Sequence, residues 1–349
     1  MEIVWLLFAF VGGLSMKQLG LPPLIGFLAA GFLLNYFGFE SSDNLQSLAD
    51  LGITLMLFTI GLKLNIRDLL KPEVWVTSAQ HMLIWVLLVT GIVFALSYLG
   101  LSYFADMTLQ QAALLAFALS FSSTVCVVKI LEESGEMKTR HGKIAIGVLV
   151  MQDIFAVLFL VFAAGKTPTL WAFALFALWF ARPILYRIIN SAGHGELLPL
   201  TGFLCALGGY YLFDLVGVKG DLGALILGML IAPHVKAAEL SKSLLSFKDL
   251  FLVGFFLSIG LIALPNLEMA IIALLLCLLV PLKFLLFFAT FVQFKLRART
   301  AYLSGLVLSN FSEFGLIVAA LAVSSGWLSP QWLVIVALSV SFSFVFTSL

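Results

Sequence analysis

The chain has 349 residues, of which 62% are hydrophobic and 11% are charged, and its formal net charge is +1. Polar surface is too scarce to cover so many apolar side chains in water, which excludes a soluble globular protein. The near-neutral charge gives no sign of nucleic-acid binding. The apolar residues form runs long enough for membrane helices, whereas a β-barrel would show strands of about ten alternating residues. The sequence therefore predicts an all-α polytopic membrane protein.

Thirteen apolar runs predict 13 transmembrane helices. They cover residues 2–19, 22–38, 45–62, 74–99, 108–131, 143–164, 168–190, 197–216, 219–233, 243–262, 267–294, 300–325 and 329–349. The first run has no basic segment before it and no small-residue cleavage site after it. We therefore interpret it as a retained span and not as a signal peptide.

Basic residues separate by side when thirteen spans are threaded through a membrane. Sixteen Lys and Arg residues fall on one side, while only Lys166 and Lys219 fall on the other. Because basic loops stay in the cytoplasm, this asymmetry predicts an external N-terminus and a cytoplasmic C-terminus.

A weak internal repeat relates the two halves of the chain. The matching segments are 24–33 with 221–230, 58–62 with 257–261, and 120–123 with 310–313. Each pair is seven spans apart, an odd number, so the copies face opposite ways. The pattern predicts six-helix inverted repeats, with a substrate site at their interface as in many secondary transporters.

One carboxylate lies deep in the sixth run. Asp153 follows Gln152 and lies about 15 Å along a helix from Lys143, close to half the thickness of the bilayer core. An ionisable side chain at that depth indicates an ion or proton site. The structural alternative is a protonated Asp that is hydrogen-bonded to a neighbouring helix.

Polar clusters interrupt the fifth and twelfth runs at corresponding positions. The clusters are Ser122, Ser123 and Thr124 in one run, and Asn310, Phe311, Ser312 and Glu313 in the other. Hydroxyls and amides can pair the backbone groups freed where a helix unwinds. The clusters therefore predict two discontinuous crossing helices, although serines that bond to their own helix or pack closely would look the same.

Two more charged residues lie far from the predicted membrane surface. Glu313 is about 21 Å along a helix from Arg299, and Lys283 is twelve residues from Lys295, just after Pro281. Proline should bend that helix. A buried lysine must either be a neutral amine or have its ammonium group matched by a carboxylate, and Asp153 and Glu313 are the expected carboxylate partners of Lys283. The four histidines show no common spacing and are interpreted as interfacial side chains.

Several of these motifs together resemble the Kef-type monovalent cation:proton antiporters. They are residues 150–154, 122–124, 246–250 leading to 255–260, Lys283 and 310–314. The resemblance covers essentially the whole chain, and several motifs recur in the family's order. The residues before Glu313 depart from the Gly-rich or Gln-containing sequence that the family often has there.

The resemblance implies a homodimer in the lipid bilayer of a bacterial inner membrane. Its scaffold would comprise residues 1–70 and 193–264, its ion-transporting core residues 71–165 and 265–349, and its linker helix residues 166–192. Asp153 would carry the cation or proton, and the Gln152-Asp153 pair is typical of potassium-linked members. Family members usually continue into a cytoplasmic nucleotide-binding regulatory domain, which is expected beyond this chain.

The combined hypothesis is a transporter, not an enzyme, that exchanges potassium or sodium for protons. The expected cation ligands are Gln152, Asp153, Ser122, Ser123, Thr124 and Asn310, with Lys283 and Glu313 stabilising intermediate states. No cofactor is expected besides the transported K⁺ or Na⁺ and H⁺. A cation channel is the alternative, but it would need a continuous polar pathway. An intramembrane enzyme lacks a recognisable nucleophile and base in this sequence.

Overall fold

The computed structural model describes residues 2–63, 71–98, 103–105, 107–137, 139–163, 175, 177–218 and 220–348. Over these residues the regular structure is helical. The α-helices are α1 (Glu2–Gln18), α2 (Pro23–Tyr36), α3 (Asp43–Lys63), α4 (Pro72–Ser97), α5 (Leu109–Ala118), α6 (Thr124–Glu133), α7 (Arg140–Ala163), α8 (Arg182–Ser191), α9 (Leu197–Leu215), α10 (Gly220–Ile231), α11 (Ala237–Ile262), α12 (Leu267–Cys277), α13 (Val280–Gln293), α14 (Ala298–Val307), α15 (Glu313–Ser324) and α16 (Pro330–Ser348).

The helices follow most of the predicted apolar runs, but the described part of the seventh run, 168–190, is α-helical only from Arg182. Three runs, 108–131, 267–294 and 300–325, each contain two helices. Seven helical stretches of the described residues are long and apolar enough to cross a membrane, and several others are shorter apolar helices. The prediction of a helical multi-pass membrane protein is confirmed, while the number of thirteen spans stays a prediction. Residues 168–174 of the seventh run, with Arg67, Lys138, Lys166 and Lys219, lie outside the described residues.

Pro281, which was predicted to bend its helix, lies just after a break in that helix. The helix α12 ends at Cys277, and α13 begins at Val280 with proline in its first turn. Proline has no N–H group and fits the first turn, where that group would have no intrahelical acceptor. The interruption places Lys283 near the start of α13.

The chain divides into two compact units. One consists of Met1–Glu40, Arg67–Ala156 and Ile259–Leu349, and the other of Ser41–Ile66 and Val157–Ser258. The first unit contains most of the predicted ion-transporting core, and it also contains α1 and α2, which were assigned to the scaffold. A buried cluster that includes Val148, Phe287 and Phe291 packs the first unit. Another, which includes Phe58, Leu227 and Leu240, packs the second.

Pairs of glycines allow helices to approach each other closely at two crossings. In the second unit, a methyl group added to Gly61 would overlap the backbone of α10, and one added to Gly228 would overlap the backbone of α3. In the first unit, a methyl group on Gly260 would lie 2.7 Å from the backbone of Gly31. Small residues are common where membrane helices cross, because they let the two backbones approach closely.

The crossing of α3 and α10 predicts a large loss of stability for Gly228→Leu. The new side chain would meet the carbonyl of Phe58 and force the helices apart, at a cost of about 2 kcal/mol or more. We expect the melting temperature in detergent to fall by about 5 °C. Gly208→Leu on α9 is the matched control, because nothing lies within 4 Å of a methyl group there. Equal melting temperatures for the two variants would contradict the packing argument.

Candidate cation-binding site

Two helix interruptions form the centre of the candidate site. The helix α5 ends at Ala118 and α6 begins at Thr124, while α14 ends at Val307 and α15 begins at Glu313. Both interruptions were predicted from their polar clusters, and both are confirmed. Each break leaves backbone N–H and C=O groups without intrahelical partners, so the buried chain must pair them in another way.

Side chains of each interruption pair the backbone of the other. The side-chain oxygen Oδ1 of Asn310 accepts a hydrogen bond from the backbone N–H of Ser123 at 2.7 Å. The hydroxyl of Ser122 donates to the carbonyl of Leu308 at 2.7 Å. Both side chains are buried. The reciprocal bonds hold the two interruptions together, so Ser122 and Asn310 have a structural task besides any ligand role.

Gln152 attaches α7 to the first interruption. Its Oε1 accepts from the backbone N–H of Ser122 at 2.9 Å, and its Nε2 donates to the carbonyl of Ser120 at 3.3 Å. An amide oxygen has two lone pairs, and this geometry uses one of them. Gln152 therefore fixes the backbone while its oxygen keeps the capacity to accept one more contact.

Lys283 reaches the same place from α13 and contacts backbone carbonyls. Its Nζ donates to Phe121 O at 2.6 Å, to Asn310 O at 2.8 Å and to Leu119 O at 3.3 Å. An ammonium has three N–H donors, and three carbonyls accept them. The sequence predicted either a neutral amine or a carboxylate partner; the contacts that the structure gives Lys283 are carbonyls exposed where the two helices unwind.

Glu313 begins α15, and its carboxylate accepts from hydroxyls of both interruptions. Its Oε2 lies 3.0 Å from the hydroxyl of Ser123 and 3.4 Å from that of Ser312, and the residue is 5% exposed. Ser312 also caps the helix, since its hydroxyl accepts from the backbone N–H of Phe314 at 3.1 Å. The partial positive charge at a helix N-terminus favours a carboxylate in this position.

Asp153 and Thr124 are the remaining members of the predicted set of cation ligands. Asp153 follows Gln152 on α7, is 2% exposed and lies about 20 Å along the helix from Arg140. The Oγ1 atom of Thr124 is buried, and no group of the described residues bonds to it. Hydrogen bonds join Gln152, Ser122, Ser123, Asn310, Glu313 and Lys283 into one network. The oxygens of such a network have the chemistry to replace the hydration water of a monovalent cation.

Two aromatic residues beside Lys283 were not predicted from the sequence. His81, interpreted as interfacial, is fully buried on α4, and its ring stacks on Phe287 of α13 with centroids 3.5 Å apart. Trp85 lies one turn further along α4, and the centroid of its ring is 5.6 Å from the Lys283 Nζ. The interfacial interpretation of His81 is therefore wrong. Its position seven residues inside the apolar run 74–99 was the signal that could have corrected it.

The hydrogen bonds between the two interruptions predict that Asn310→Ala lowers the stability of the protein. The substitution removes the acceptor of the buried Ser123 N–H, which should cost about 1–3 kcal/mol and lower the melting temperature by several degrees. Asn266→Ala is the matched control, because Asn266 also caps a helix, α12, through Met269 N, but its side chain is exposed and the bond is only partly buried. If Asn266→Ala lowers the melting temperature as much as Asn310→Ala does, burial of the bond between Asn310 and Ser123 is not the cause of the effect.

Comparisons with known proteins extend these observations. The chain is 28% identical to K(+) efflux antiporter 1, chloroplastic, of Arabidopsis thaliana, over 99% of this chain and 31% of that protein. It is 29% identical to the glutathione-regulated potassium-efflux system protein KefC of Shigella flexneri serotype 5b (strain 8401), over 95% of this chain and 56% of that protein. The chain thus spans about a third to a half of these relatives. They confirm the resemblance to Kef-type antiporters.

The fold agrees with that of a solved antiporter. The structure of the sodium proton antiporter MjNhaP1 from Methanocaldococcus jannaschii at pH 8 matches with a TM-score of 0.70 and 13% identity, over 99% of this chain and 94% of that one. At this identity the likeness shows the fold alone. Residues 6–349 match the family model described as sodium/hydrogen exchanger, transmembrane. Because the match covers nearly the whole chain, the protein belongs to the sodium/hydrogen exchanger transmembrane family.

Proposed function

We propose that the chain exchanges a monovalent cation, potassium in the first place, for protons by alternating access. The observation that carries the proposal is a carboxylate, Asp153, buried on α7 directly after the residue that holds an interrupted helix. A carboxylate at this depth is costly unless it is neutralised, and either a proton or a cation can neutralise it. Competition between the two ligands for one group is the basis of exchange.

The exchange follows from the charge of Asp153 in each state. The core crosses the membrane readily when Asp153 holds a proton or a cation, and poorly when it is bare and charged. Asp153, Gln152, Ser122, Ser123, Thr124 and Asn310 are the proposed cation ligands. Glu313 and Lys283 stabilise the interrupted helices while the ligand changes. One titrating carboxylate gives one cation for each proton, and a second at Glu313 would change that ratio.

We propose an inverted-repeat architecture of thirteen spans with a moving core and a scaffold. Two glycine contacts support it. In the repeat, Gly31 corresponds to Gly228 and Gly61 corresponds to Gly260. Gly61 packs against Gly228 and Gly31 packs against Gly260, so each contact is the counterpart of the other. A symmetry that exchanges the two halves of a chain produces such paired contacts.

The remaining assignments follow from the family resemblance and the charge pattern. We propose a homodimer in a bacterial inner membrane, with the N-terminus outside and the C-terminus in the cytoplasm. Residues 71–165 and 265–349 form the core that moves against the scaffold in an elevator-like manner, and residues 166–192 link the halves. Regulation by a cytoplasmic nucleotide-binding domain is part of the same proposal.

Sodium is the second candidate cation. The relatives named for potassium favour potassium, while the fold is shared with a protein named a sodium proton antiporter. Selectivity depends on the distances between ligand oxygens and on their number, which differ between members of one fold. Both cations therefore enter the test.

Proton flux in proteoliposomes tests the proposed function. Purified protein is reconstituted with a pH-sensitive dye inside, and outward potassium or sodium gradients are imposed with the membrane voltage clamped at zero. We expect the potassium gradient to drive protons inward, against a proton gradient if necessary, with a rate that saturates with cation concentration. A cation current without coupled proton movement would contradict exchange and favour a channel. A response to sodium alone would assign the second candidate.

A further inference from the structure

One peptide group of the second interruption is held at both of its ends. It joins Asn310 to Phe311, so its carbonyl belongs to Asn310 and its N–H group to Phe311. The carbonyl accepts from Lys283 Nζ at 2.8 Å, and the N–H group donates to the hydroxyl oxygen of Ser343 at 3.1 Å. Because a peptide group is planar, the two bonds together fix its orientation. Ser343 is fully buried on α16 and was not predicted as a site residue.

The corresponding peptide group of the first interruption is held in the same way. It joins Phe121 to Ser122. Its carbonyl accepts from Lys283 Nζ at 2.6 Å, and its N–H group donates to Gln152 Oε1 at 2.9 Å. One amine thus contacts a carbonyl of each interruption, while α7 supplies the acceptor for one N–H group and α16 supplies the acceptor for the other. Ser343 therefore does for the second interruption what Gln152 does for the first.

The predicted inverted repeat places Ser343 opposite the proposed carrier residue. Residues 120–123 correspond to 310–313, and Ser343 lies 190 residues after Asp153, which is the same separation. The helix α16 thus carries a hydroxyl where α7 carries a carboxylate. In this position the hydroxyl holds a backbone group and adds no charge, so the two interruptions share one carboxylate from this pair of helices.

Two other serines of α16 show what a purely structural hydroxyl does in this helix. Ser339 and Ser341 are buried, and each donates to the carbonyl four residues before it. Ser343 also donates within the helix, to Val340 O at 2.8 Å. That bond is usual for serine inside a helix and leaves the hydroxyl oxygen able to accept. What needs a further explanation is the bond from Phe311, 32 residues away in the chain.

The orientation of this peptide group determines where Asn310 lies. The side chain of Asn310 starts from the residue whose carbonyl contacts Lys283, and its Oδ1, a proposed cation ligand, accepts from Ser123 N–H at 2.7 Å. Without an acceptor on α16, the peptide group is free to rotate, and the Asn310 oxygen is no longer fixed before the cation arrives. Binding must then order the ligand, which lowers the affinity.

We propose that Ser343 is a positioning residue of the cation site, which holds the N–H group of Phe311 and through it the ligand Asn310. The inference deepens the proposed function and rests on it, because the ligand that Ser343 positions belongs to the proposed site. Removal of the hydroxyl leaves the charge of Asp153 in place. Its effect is therefore on the affinity for the cation, more than on the maximal rate of exchange.

Three variants test this role through cation-driven proton flux in proteoliposomes. Ser343→Ala removes the acceptor, and Ser343→Cys replaces it with a thiol, which accepts weakly. Ser341→Ala is the matched control, because it deletes a buried hydroxyl of the same helix that donates to Ala337 O. We expect the half-saturating cation concentration to rise about tenfold in Ser343→Ala, with the maximal rate within about threefold of the parent. Ser343→Cys should lie between, and Ser341→Ala should match the parent.

The affinity is the measurement that decides between positioning and packing. An unchanged half-saturating concentration in Ser343→Ala overturns the inference, even if the melting temperature falls, because a purely structural hydroxyl would act in that way. A rise that Ser341→Ala shares also overturns it. If Ser343→Ala does not fold, Ser343→Cys carries the same comparison with Ser341→Ala.

A spectroscopic measurement separates this inference from the proposed function. The sequence Asn-Phe occurs once in the chain, at Asn310 and Phe311, so carbonyl-¹³C asparagine with ¹⁵N phenylalanine isolates the Phe311 amide in solid-state NMR. We expect this amide to exchange with deuterium oxide at least about tenfold faster in Ser343→Ala than in the parent or Ser341→Ala, because it has lost its acceptor. Equal exchange overturns the inference, whatever the fluxes. Absence of cation-driven flux in the parent refutes the proposed function, whereas faster exchange in Ser343→Ala would still show that Ser343 holds the interruption.

Discussion

Asp153→Asn is expected to abolish cation-driven proton movement while leaving the fold intact. Asparagine has nearly the same size as aspartate, but it carries no charge, has an NH2 donor in place of one acceptor oxygen, and binds no proton near neutral pH. Because the residue is 2% exposed, a side chain of the same size is needed to keep the packing while the charge is removed. Flux in proteoliposomes under a potassium gradient is the measurement, and we expect it to fall to the level of protein-free liposomes.

The control for this prediction is Asp43→Asn. Asp43 lies in the first turn of α3 and is exposed, so it exchanges the same groups at a hydrated position. We expect its flux to equal that of the parent. Flux that survives in Asp153→Asn at more than a small fraction of the parent rate would remove Asp153 from the carrier role.

Cation binding gives a second measurement on the same pair of variants. A ligand that binds only the folded protein raises the free energy of unfolding, by about 2.7 kcal/mol at a hundred times its dissociation constant. We expect potassium chloride to raise the melting temperature of the parent and of Asp43→Asn above that in choline chloride. Asp153→Asn should show no such difference, because the anionic ligand of the cation is gone.

The interruptions of the two helices could be predicted from sequence, since their cause is local. Hydroxyl and amide side chains stand where hydrocarbon-compatible residues are expected, and the two clusters occupy matching places in the predicted repeat. The depth of Asp153 followed in the same way from helical rise and from the basic residues at the ends of its run. In each case the main signal is a polar residue or cluster within one apolar run, and for the interruptions it is strengthened by the matching cluster in the other run.

The partners across the site could not be predicted in this way. The sequence left Lys283 either neutral or paired with a carboxylate, because charge was the only property of distant residues from which a partner could be inferred. Its actual acceptors, the carbonyls of Leu119, Phe121 and Asn310, become available only where helices unwind and meet. Gln152 was assigned to the cation from its place beside Asp153 and from the family resemblance, whereas its amide also pairs the backbone of Ser122 and Ser120.

Lys283→Met is expected to cause the largest loss of stability among the substitutions considered. Methionine fills most of the volume of lysine but donates no hydrogen bond, so three buried carbonyls lose their donor at once. Each buried acceptor left unpaired costs about 1–3 kcal/mol, and the total should exceed about 3 kcal/mol. We expect the melting temperature in detergent to fall by about 10 °C and cation-driven proton flux to be lost.

Lys236→Met is the comparison that isolates the effect of burial. The Nζ of Lys236 also donates to a backbone carbonyl, that of Gly193, at 2.9 Å, but the contact is only partly buried. Water can take over this single bond, so its melting temperature should stay within about 2 °C of the parent. If the two variants melt alike, the three carbonyls are not held by the ammonium. A large difference would mean that the side chain of Lys283 on α13 holds the ends of both interrupted helices in place through their carbonyls. Loss of a proton from its ammonium would then remove one of these hydrogen bonds and weaken the same helix ends.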